Sequence, residues 1–408
     1  METTVNSQAG PLEKPLKILL YSNSFLPQVG GREIVIYHLA KSLQQAGHQV
    51  LVVSPGGWWS YRKLAYPFRV QRWPKIPGLS TVRSSMIHLA ATVSRFDCDV
   101  INAHATYPAG YAALLYKGFT GMPLVVTPHG EDIHVIPEIG HGLRLQPEYA
   151  QKIADVVKTA ERLTAISGSV VASLLDAGAS AQKIVTIPNG VDFDRFTTDT
   201  AVDVRARFAI PGNKRILLTV GNYVRRRGHE ELVRAMRPIV DANGDAHLVI
   251  VGRGTDVLEA LIAELGLGES VTLTGAVPPV ELNPQADDIV AALYRESEVY
   301  VAPGMSEGSE GLSLALLDAM ASGSAIVATR ISGNRDVISS DKNGLLVEPG
   351  KPQAIAQGVL HMLNNPEAQR AYREQAANDV QPYSWTSIAA QYEKTYREAI
   401  QISNSSTI

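Results

Sequence analysis

Short apolar runs alternate along the chain with longer stretches of helical spacing. KILLYSN (17–23) has strand length, REIVIYHLAKSLQQAG (32–47) has apolar residues at helical intervals before a closing glycine, and HQVLVVS (48–54) is again strand-like. A strand, a helix and a strand in this order form a β-α-β unit, which pairs its strands in parallel through a right-handed crossover. The pattern therefore predicts a parallel sheet, which the runs DVINAH, PLVVTPHG, RLTAIS and KIVTIPNGVD extend to residue 192.

The pattern then begins again. RILLTVGN (215–222) is strand-like, GHEELVRAMRPIVDA (228–242) is helical, and further strands are predicted at AHLVIVGRG, SVTLTGAV, SEVYVAPG and SAIVATRI. Two such series predict an α/β protein with two doubly wound Rossmann-like domains that face a cleft. We expect an N-terminal domain at 1–195 and a C-terminal domain at 196–382, with the linker near 191–212 and a terminal helix at 383–401 that joins the first domain.

Composition places the chain among ordinary soluble proteins. It has 408 residues, of which 45% are hydrophobic and 19% are charged. Its single cysteine, Cys98, excludes an internal disulfide framework and favours a reducing compartment. No run approaches the roughly 18 apolar residues of a membrane span, and the polar start METTVNSQAGPLEKP lacks a signal core. We therefore expect a cytoplasmic protein.

Charge is distributed unevenly between the two halves. Residues 1–190 hold 17 Lys/Arg and 12 Asp/Glu, whereas residues 191–408 hold the remaining 20 and 28. Residues 34–96 contain eight basic residues and no acidic one, and they include the basic aromatic segment WWSYRKLAYPFRVQRWPK (58–75). This segment suits peripheral contact with the inner membrane surface or an anionic acceptor, or else a solvated loop whose Trp residues pack on the core. The net charge of −3 argues against a nucleic-acid partner.

Candidate binding residues follow the predicted strands, where open parallel sheets bind their ligands. Gly30 and Gly31 lie in GGRE, between the first strand and the first helix. They allow either close approach of the backbone to an anion or simply a tight turn. The chain has neither a GxGxxG fingerprint nor a GxxxxGK[ST] loop.

Two further loops carry polar side chains. His129, in PHGED, is either a structural histidine or a cleft residue. His129, His134 and His141 lack zinc spacing, so no metal site is expected. In GNYVRRRG (221–228), three successive arginines precede a helix, and arginine forks suit phosphate oxygens, although surface arginines are often merely solvated.

The segment SEGSEGLSLALLDAMASG (306–323) places Glu310 before a predicted helix and Asp318 within it, with Ser313 as its N-cap. Carboxylates accept paired hydrogen bonds from vicinal hydroxyls. One carboxylate can thus hold a sugar and the other a ribose, while free N–H groups between them hold phosphates. The alternative is that both acids only complement the helix dipole.

Together these segments resemble the retaining glycosyltransferases of family 4, which have the GT-B fold. The resemblance spans roughly residues 16–400 and rests on GGRE, NAHATYPAG, PHGED, IPNGVD and EGLSLALLDAMASG, the last of which resembles the family's E-x7-E signature. Asp318 stands at the position of the second Glu of that signature, and Asn222 stands at the position of the family's usual Arg, five residues before Arg227.

The resemblance implies a role for each matching residue. Glu310 would contact the transferred sugar, Asp318 the ribose, and Arg227 the leaving diphosphate. His129 would bind the donor sugar near its reacting carbon. The other implied donor-binding positions are Gly30, Gly31, Asn222, Gly311, Leu312 and Ser313, with the backbone near Val277 holding the base.

The implied activity is transfer of a hexose from a nucleotide-diphosphate sugar to an acceptor hydroxyl, with retention and without a metal or other cofactor. A UDP-sugar is favoured over GDP-mannose, and the acceptor would belong to polysaccharide, glycolipid or glycoconjugate synthesis. Two alternatives stay open: a sugar-nucleotide epimerase of related fold, and a non-catalytic protein that binds nucleotide-sugars.

Overall fold

The computed structural model describes residues 14–56, 65–137, 140–197, 202–308 and 311–405. Within them the chain forms two sheets in which all neighbouring strands are parallel, of seven strands in the order β3-β2-β1-β4-β5-β6-β7 and of six in the order β10-β9-β8-β11-β12-β13. The first sheet comprises β1 (Lys17–Ser22), β2 (Gln49–Pro55), β3 (Arg69–Trp73), β4 (Val100–His104), β5 (Leu124–Thr127), β6 (Arg162–Ala165) and β7 (Ile184–Thr186). The second comprises β8 (Arg215–Val220), β9 (Ala246–Val251), β10 (Val271–Gly275), β11 (Ser297–Ala302), β12 (Ala325–Thr329) and β13 (Leu345–Val347).

Helices connect the strands and cover the sheets. They are α1 (Gly31–Gln45), α2 (Thr81–Phe96), α3 (Tyr111–Thr120), α4 (Pro147–Thr159), α5 (Gly168–Asp176), α6 (Asp194–Thr197), α7 (Val204–Arg207), α8 (His229–Ala242), α9 (Glu259–Glu264), α10 (Ile289–Glu296), α11 (Leu314–Ser322), α12 (Ser332–Arg335), α13 (Pro352–Asn364), α14 (Pro366–Asp379) and α15 (Trp385–Ser405). In each sheet the strand order changes direction beside the strand that comes first in the chain, β1 or β8, as in doubly wound folds. The predicted fold class is confirmed.

The helix α11 illustrates how local sequence sets the bounds of an element. It begins after Ser313 and ends at Gly323, which adopts the left-handed conformation (φ 75°) that glycine favours. Ser313 is at the predicted N-cap position, but its side chain accepts no capping hydrogen bond. The buried side of the helix carries Leu316 and Leu317, both fully buried.

The terminal helix α15 packs against the first domain, beside α1. Trp385, Ile388 and Tyr392 belong to one apolar cluster with Ile36 and Leu39 of α1. The helix at the C-terminal end of the described chain therefore completes the core around α1.

Part of the basic aromatic segment forms an edge strand that the sequence pattern did not indicate. β3 lies inside it, and Trp73 at its end is only 2% exposed in the core of the first sheet. Trp73 thus fits the interpretation in which a Trp of this segment packs on the core. Trp58 and Trp59 fall in 57–64, outside the described residues. None of the helices in the described parts of the chain is both long and apolar enough to cross a bilayer.

Hydrogen bonds join the two domains beside the carboxyl ends of their strands. The backbone N–H of Gly168 donates to Asp336 (2.9 Å), and that of Ser169 donates to the Ser332 hydroxyl (2.8 Å). The start of α5 in the first domain therefore contacts α12 in the second.

Candidate active site

Three neighbouring strands end together at one edge of the first sheet. Ser22 of β1 is in register with His104 of β4, which is in turn in register with Thr127 of β5. His129 follows two residues after β5, so its side chain comes beside His104. Nε2 of His129 lies 3.0 Å from Nδ1 of His104, and the rings stack with centroids 5.3 Å apart.

This histidine pair is neutral at physiological pH. Burial lowers the pKa of His129 well below its usual value, and the neighbouring His104 and the charge of Arg32 lower it further. Burial and the charge of Arg32 also lower the pKa of His104 to about 3. Because neither ring carries a second proton, one donates and the other accepts in their mutual hydrogen bond.

The carboxylate of Asp132 fixes the loop that holds His129. Its Oδ1 accepts from the backbone N–H of His129 (2.8 Å), and its Oδ2 accepts from that of Thr106 (2.6 Å). The segments after β4 and β5 are thereby tied together. Sequence reasoning missed both Asp132 and His104 as supports of His129, since neither role shows in residue spacing. Among the described residues no group of three His, Cys, Asp or Glu side chains is placed to hold a metal ion.

The two glycines of GGRE have different surroundings. A Cβ on Gly30, the N-cap of α1, would lie 2.6 Å from a carboxylate oxygen of Glu33. A Cβ on Gly31 would meet no atom within 4 Å. Gly31 therefore leaves open space at the start of α1, while Gly30 makes room for Glu33. Donor binding by either glycine stays a prediction.

The three arginines after β8 have three different environments. Arg225 is half exposed and pairs with Glu231 (2.8 Å). Arg226 reaches across the cleft, where its Nη2 donates to Oε1 of Glu131 in the PHGED segment (3.0 Å). Arg227 turns back on its own loop, and its Nη1 donates to the carbonyl of Asn222 (3.3 Å).

Asn222 has a structural task in the same loop. Its Oδ1 accepts from the backbone N–H of Arg253 at 3.0 Å, which joins the loops after β8 and β9. Its side chain carries no charge that could replace the arginine usual at this position. A role of Asn222 in donor binding stays a prediction.

The start of α11 meets the first domain. A Cβ built on Gly130 would lie 3.9 Å from the backbone nitrogen of Gly311, and the Leu312 carbonyl accepts from Asn189 (2.6 Å). The PHGED segment, the arginine loop and the start of α11 therefore converge between the two sheets. Glu310, the predicted sugar contact, falls in 309–310, outside the described residues.

Asp318 is already engaged with a cation that sequence reasoning did not single out. Nη1 of Arg195 lies 3.1 Å from Oδ2 of Asp318, while Nε of the same guanidinium donates to Asp288 (2.7 Å). Burial raises the pKa of Asp318, and the charge of Arg195 opposes that rise. The predicted ribose carboxylate is thus held by an arginine of the linker region.

Val277 lies beyond the end of β10 and is partly buried against the apolar core around β8 and β11. It therefore occupies the loop that follows an edge strand of the second sheet. Whether its backbone holds a base stays a prediction.

Comparison with known proteins identifies the family. Residues 29–195 match the model described as Glycosyltransferase Family 4, and residues 203–379 match Glycosyl transferases group 1. The chain belongs to this glycosyltransferase family. The resemblance inferred from GGRE, PHGED and the E-x7-E-like segment is therefore confirmed, and membership of the family supports a transferase of glycosyl groups.

The similarity to relatives and to solved structures covers nearly the whole glycosyltransferase. It is 25% identical over 391 residues to N-acetyl-alpha-D-glucosaminyl L-malate synthase of Bacillus anthracis, covering 92% of this chain and 96% of that protein. Sucrose-phosphate synthase of Thermosynechococcus elongatus superposes with a TM-score of 0.80 at 22% identity, covering 95% and 100% of the two chains. Anabaena HepE in complex with UDP gives 0.75 at 18% identity, covering 94% and 100%. Both structures show the same fold.

Proposed function

We propose that this glycosyltransferase moves a hexose from a nucleotide-diphosphate sugar to an acceptor hydroxyl with retention of anomeric configuration. The observation that carries the proposal is the convergence of the PHGED segment, the arginine loop and the start of α11 between the two sheets. A donor that spans this cleft would place its sugar beside the first domain and its nucleotide on the second.

The proposed roles follow the charge that develops during transfer. As the glycosidic bond to the diphosphate breaks, the sugar carbon gains positive charge and the leaving phosphates gain negative charge. Arg227 would stabilise the leaving group, with help from the amides of Gly311, Leu312 and Ser313 near the start of α11. Glu310 would bind the sugar.

Asp318 would accept hydrogen bonds from the ribose hydroxyls. It is one methylene shorter than the glutamate expected there, and its position is held by Arg195. The neutral imidazole of His129 would contact the donor sugar through Nδ1, because its Nε2 is hydrogen-bonded to His104. We also propose that the leaving phosphate takes the acceptor proton and that fixed cations replace a metal, so that no general base or metal is required.

A UDP-sugar is the first choice of donor and GDP-mannose the second. Anabaena HepE, which shares the fold, was crystallised in complex with UDP, and this supports the first choice. The name of the malate synthase describes a product in which a sugar is joined to malate, a small hydroxy acid. This supports transfer to a hydroxyl. We also propose that the basic aromatic segment contacts the inner membrane surface, which would bring a lipid-linked acceptor to the first domain.

The first experiment is a thermal-shift series with UDP, GDP, ADP and their sugar conjugates, with and without EDTA. A ligand at 100 times its dissociation constant adds about 2.7 kcal/mol to the free energy of unfolding. We expect one nucleotide class to raise the melting temperature regardless of EDTA. Stabilisation by no nucleotide would contradict the proposal, and stabilisation that EDTA abolishes would contradict its metal-free form.

A non-catalytic nucleotide-sugar binder is the second candidate. It is favoured by the ion pair of Asp318 with Arg195 and by the uncharged side chain of Asn222. Such a protein would show the thermal shift but would neither transfer nor release the sugar. An epimerase would return an isomeric nucleotide-sugar instead. Chromatography of the nucleotide products separates all three outcomes.

A further inference from the structure

Several buried polar atoms beside the histidine pair have no hydrogen-bond partner among the described residues. They are both side-chain polar atoms of Asn23, Nε of Arg32 and Nε2 of His104. His104 is fully buried. Buried polar groups are nearly always paired, because an unpaired one costs about 1–3 kcal/mol. A cluster of them at one place therefore indicates an incomplete site.

The register of the strands and one side-chain bond bring these groups together. Asn23 directly follows Ser22, the register partner of His104. The hydroxyl of Ser24 donates to Glu33, which fastens the loop after β1 to the first turn of α1, where Arg32 lies. The guanidinium of Arg32 is close enough for its charge to lower the pKa of both His104 and His129.

Arg32 has no ion pair with any described residue, although carboxylates are near it. Glu33 accepts from Ser24, the two oxygens of Asp132 accept backbone N–H groups, and Glu131 pairs with Arg226. The adjacent histidines are neutral and provide no negative charge. A partly buried cation without a counterion is unfavourable, so a bound anion would stabilise this arrangement.

There is room for such an anion at the start of α1. A side chain at Gly31 would meet no atom within 4 Å. The guanidinium fork of Arg32 matches the paired oxygens of a carboxylate or phosphate, and the Asn23 amide offers a further donor. We propose that Arg32 and Asn23 form a subsite for a carboxylate or phosphate group of the acceptor.

The assignment of this anion to the acceptor rests on the proposed function. Arg32 belongs to the first domain, whereas Arg227, which is proposed to stabilise the donor diphosphate, belongs to the second. Two separate cationic sites on opposite sides of the cleft suit two separate anions. The alternative source of the anion is the donor diphosphate itself, and the experiment distinguishes the two.

The test uses inorganic phosphate and malonate as probes in calorimetric titrations at constant ionic strength, with and without saturating nucleotide. The nucleotide is the one that gives the largest thermal shift. The proteins are the wild type, Arg32→Gln, Arg32→Lys and, as the control, Arg83→Gln at an exposed position of α2. We expect binding in the wild type and control, at least tenfold weaker binding in Arg32→Gln, and an intermediate affinity in Arg32→Lys, which keeps the charge but loses the fork.

Binding that persists when nucleotide is bound supports an acceptor subsite. Competition between phosphate and nucleotide, together with weaker nucleotide binding by Arg32→Gln, would assign the anion to the donor diphosphate and overturn the proposal. Equal phosphate binding by wild type and Arg32→Gln, or none by either, would also overturn it. If no nucleotide binds at all, the proposed function fails, while titration of phosphate alone still decides whether Arg32 binds an anion.

Discussion

Nη1 of Arg195 and Oδ2 of Asp318 form an ion pair at a distance of 3.1 Å. This ion pair connects the region that links the two sheets to the helix α11. The same guanidinium also holds Asp288 at 2.7 Å. One cation therefore neutralises two carboxylates that are largely buried, with side chains 15% and 12% exposed. This arrangement places a residue of the linker in direct contact with the predicted nucleotide side of the cleft.

Replacing Arg195 by methionine should strongly destabilise the protein. The substitution retains an unbranched apolar stem but leaves two buried carboxylates without a cation, which typically costs about 3–5 kcal/mol. Urea unfolding followed by circular dichroism measures the loss. Arg83→Met, on the exposed face of α2, should change stability by no more than about 0.5 kcal/mol. Equal effects of the two substitutions would show that the Arg195 ion pairs contribute little.

Arg227→Ala should reduce turnover far more than Arg225→Ala. Loss of a single group that stabilises developing negative charge costs about 2.7–4 kcal/mol in the transition state, or roughly 10²–10³ in kcat. Arg225 is half exposed and bonded to Glu231, so its removal serves as the matched control. Release of free nucleotide from the preferred donor gives the rates. Unchanged turnover in Arg227→Ala would refute its assigned role.

His104→Asn should make the protein less sensitive to acid. The pKa of His104 is about 3 in the folded chain, against an ordinary value of 6.5. As the pH falls from 6.5 towards 3, the unfolded chain takes up a proton that the folded chain does not, so stability declines by up to about 1.4 kcal/mol per pH unit. The substitution removes this contribution.

Unfolding free energies measured from pH 7 to pH 5 should therefore fall less steeply in His104→Asn than in the wild type. His361→Asn, at an exposed position of α13, provides the control. If the two variants show the same slope, His104 is not the neutral buried group described above.

Gly333→Ala should disturb the start of α11. A Cβ there would lie 2.1 Å from the carbonyl oxygen of Gly311 and 2.8 Å from the nitrogen of Leu312. Relief of this overlap must change the spacing between α12 and the segment that is proposed to hold the donor phosphates, at a cost of about 1–3 kcal/mol. Gly212→Ala meets nothing within 4 Å and should be neutral. Nucleotide titration and thermal unfolding of both variants test the difference.

Local patterns in the sequence were sufficient for the ends of α11 and for the parallel strands other than β3 and β13. β1 and α1 could be predicted because continuous apolar runs and helical spacing are properties of short segments. β3 was missed, since RVQRW is a polar edge strand whose only fully buried residue is Trp73. The family motifs correctly indicated the glycosyltransferase family.

The partners of the candidate site residues could not be predicted in the same way. Arg195 contacts Asp318, which lies 123 residues further along the chain, and His38 is hydrogen-bonded to Glu281, which lies 243 residues further along. Residue type does not distinguish such buried charges from solvated ones, because burial depends on how the two domains meet. The incomplete hydrogen bonding of Asn23 and Arg32 likewise appears only when the loop after β1 is seen beside His104.

The packing of α15 has a consequence for synthesis of the chain. Trp385 stacks on His38 with ring centroids 5.3 Å apart, and Tyr392 and Tyr396 are buried in the core around α1. While the ribosome is still making the second domain, the first has all its strands but lacks the helix that closes this core. The apolar surface of the first domain around α1 therefore stays exposed to solvent until α15 has been translated and has left the ribosome.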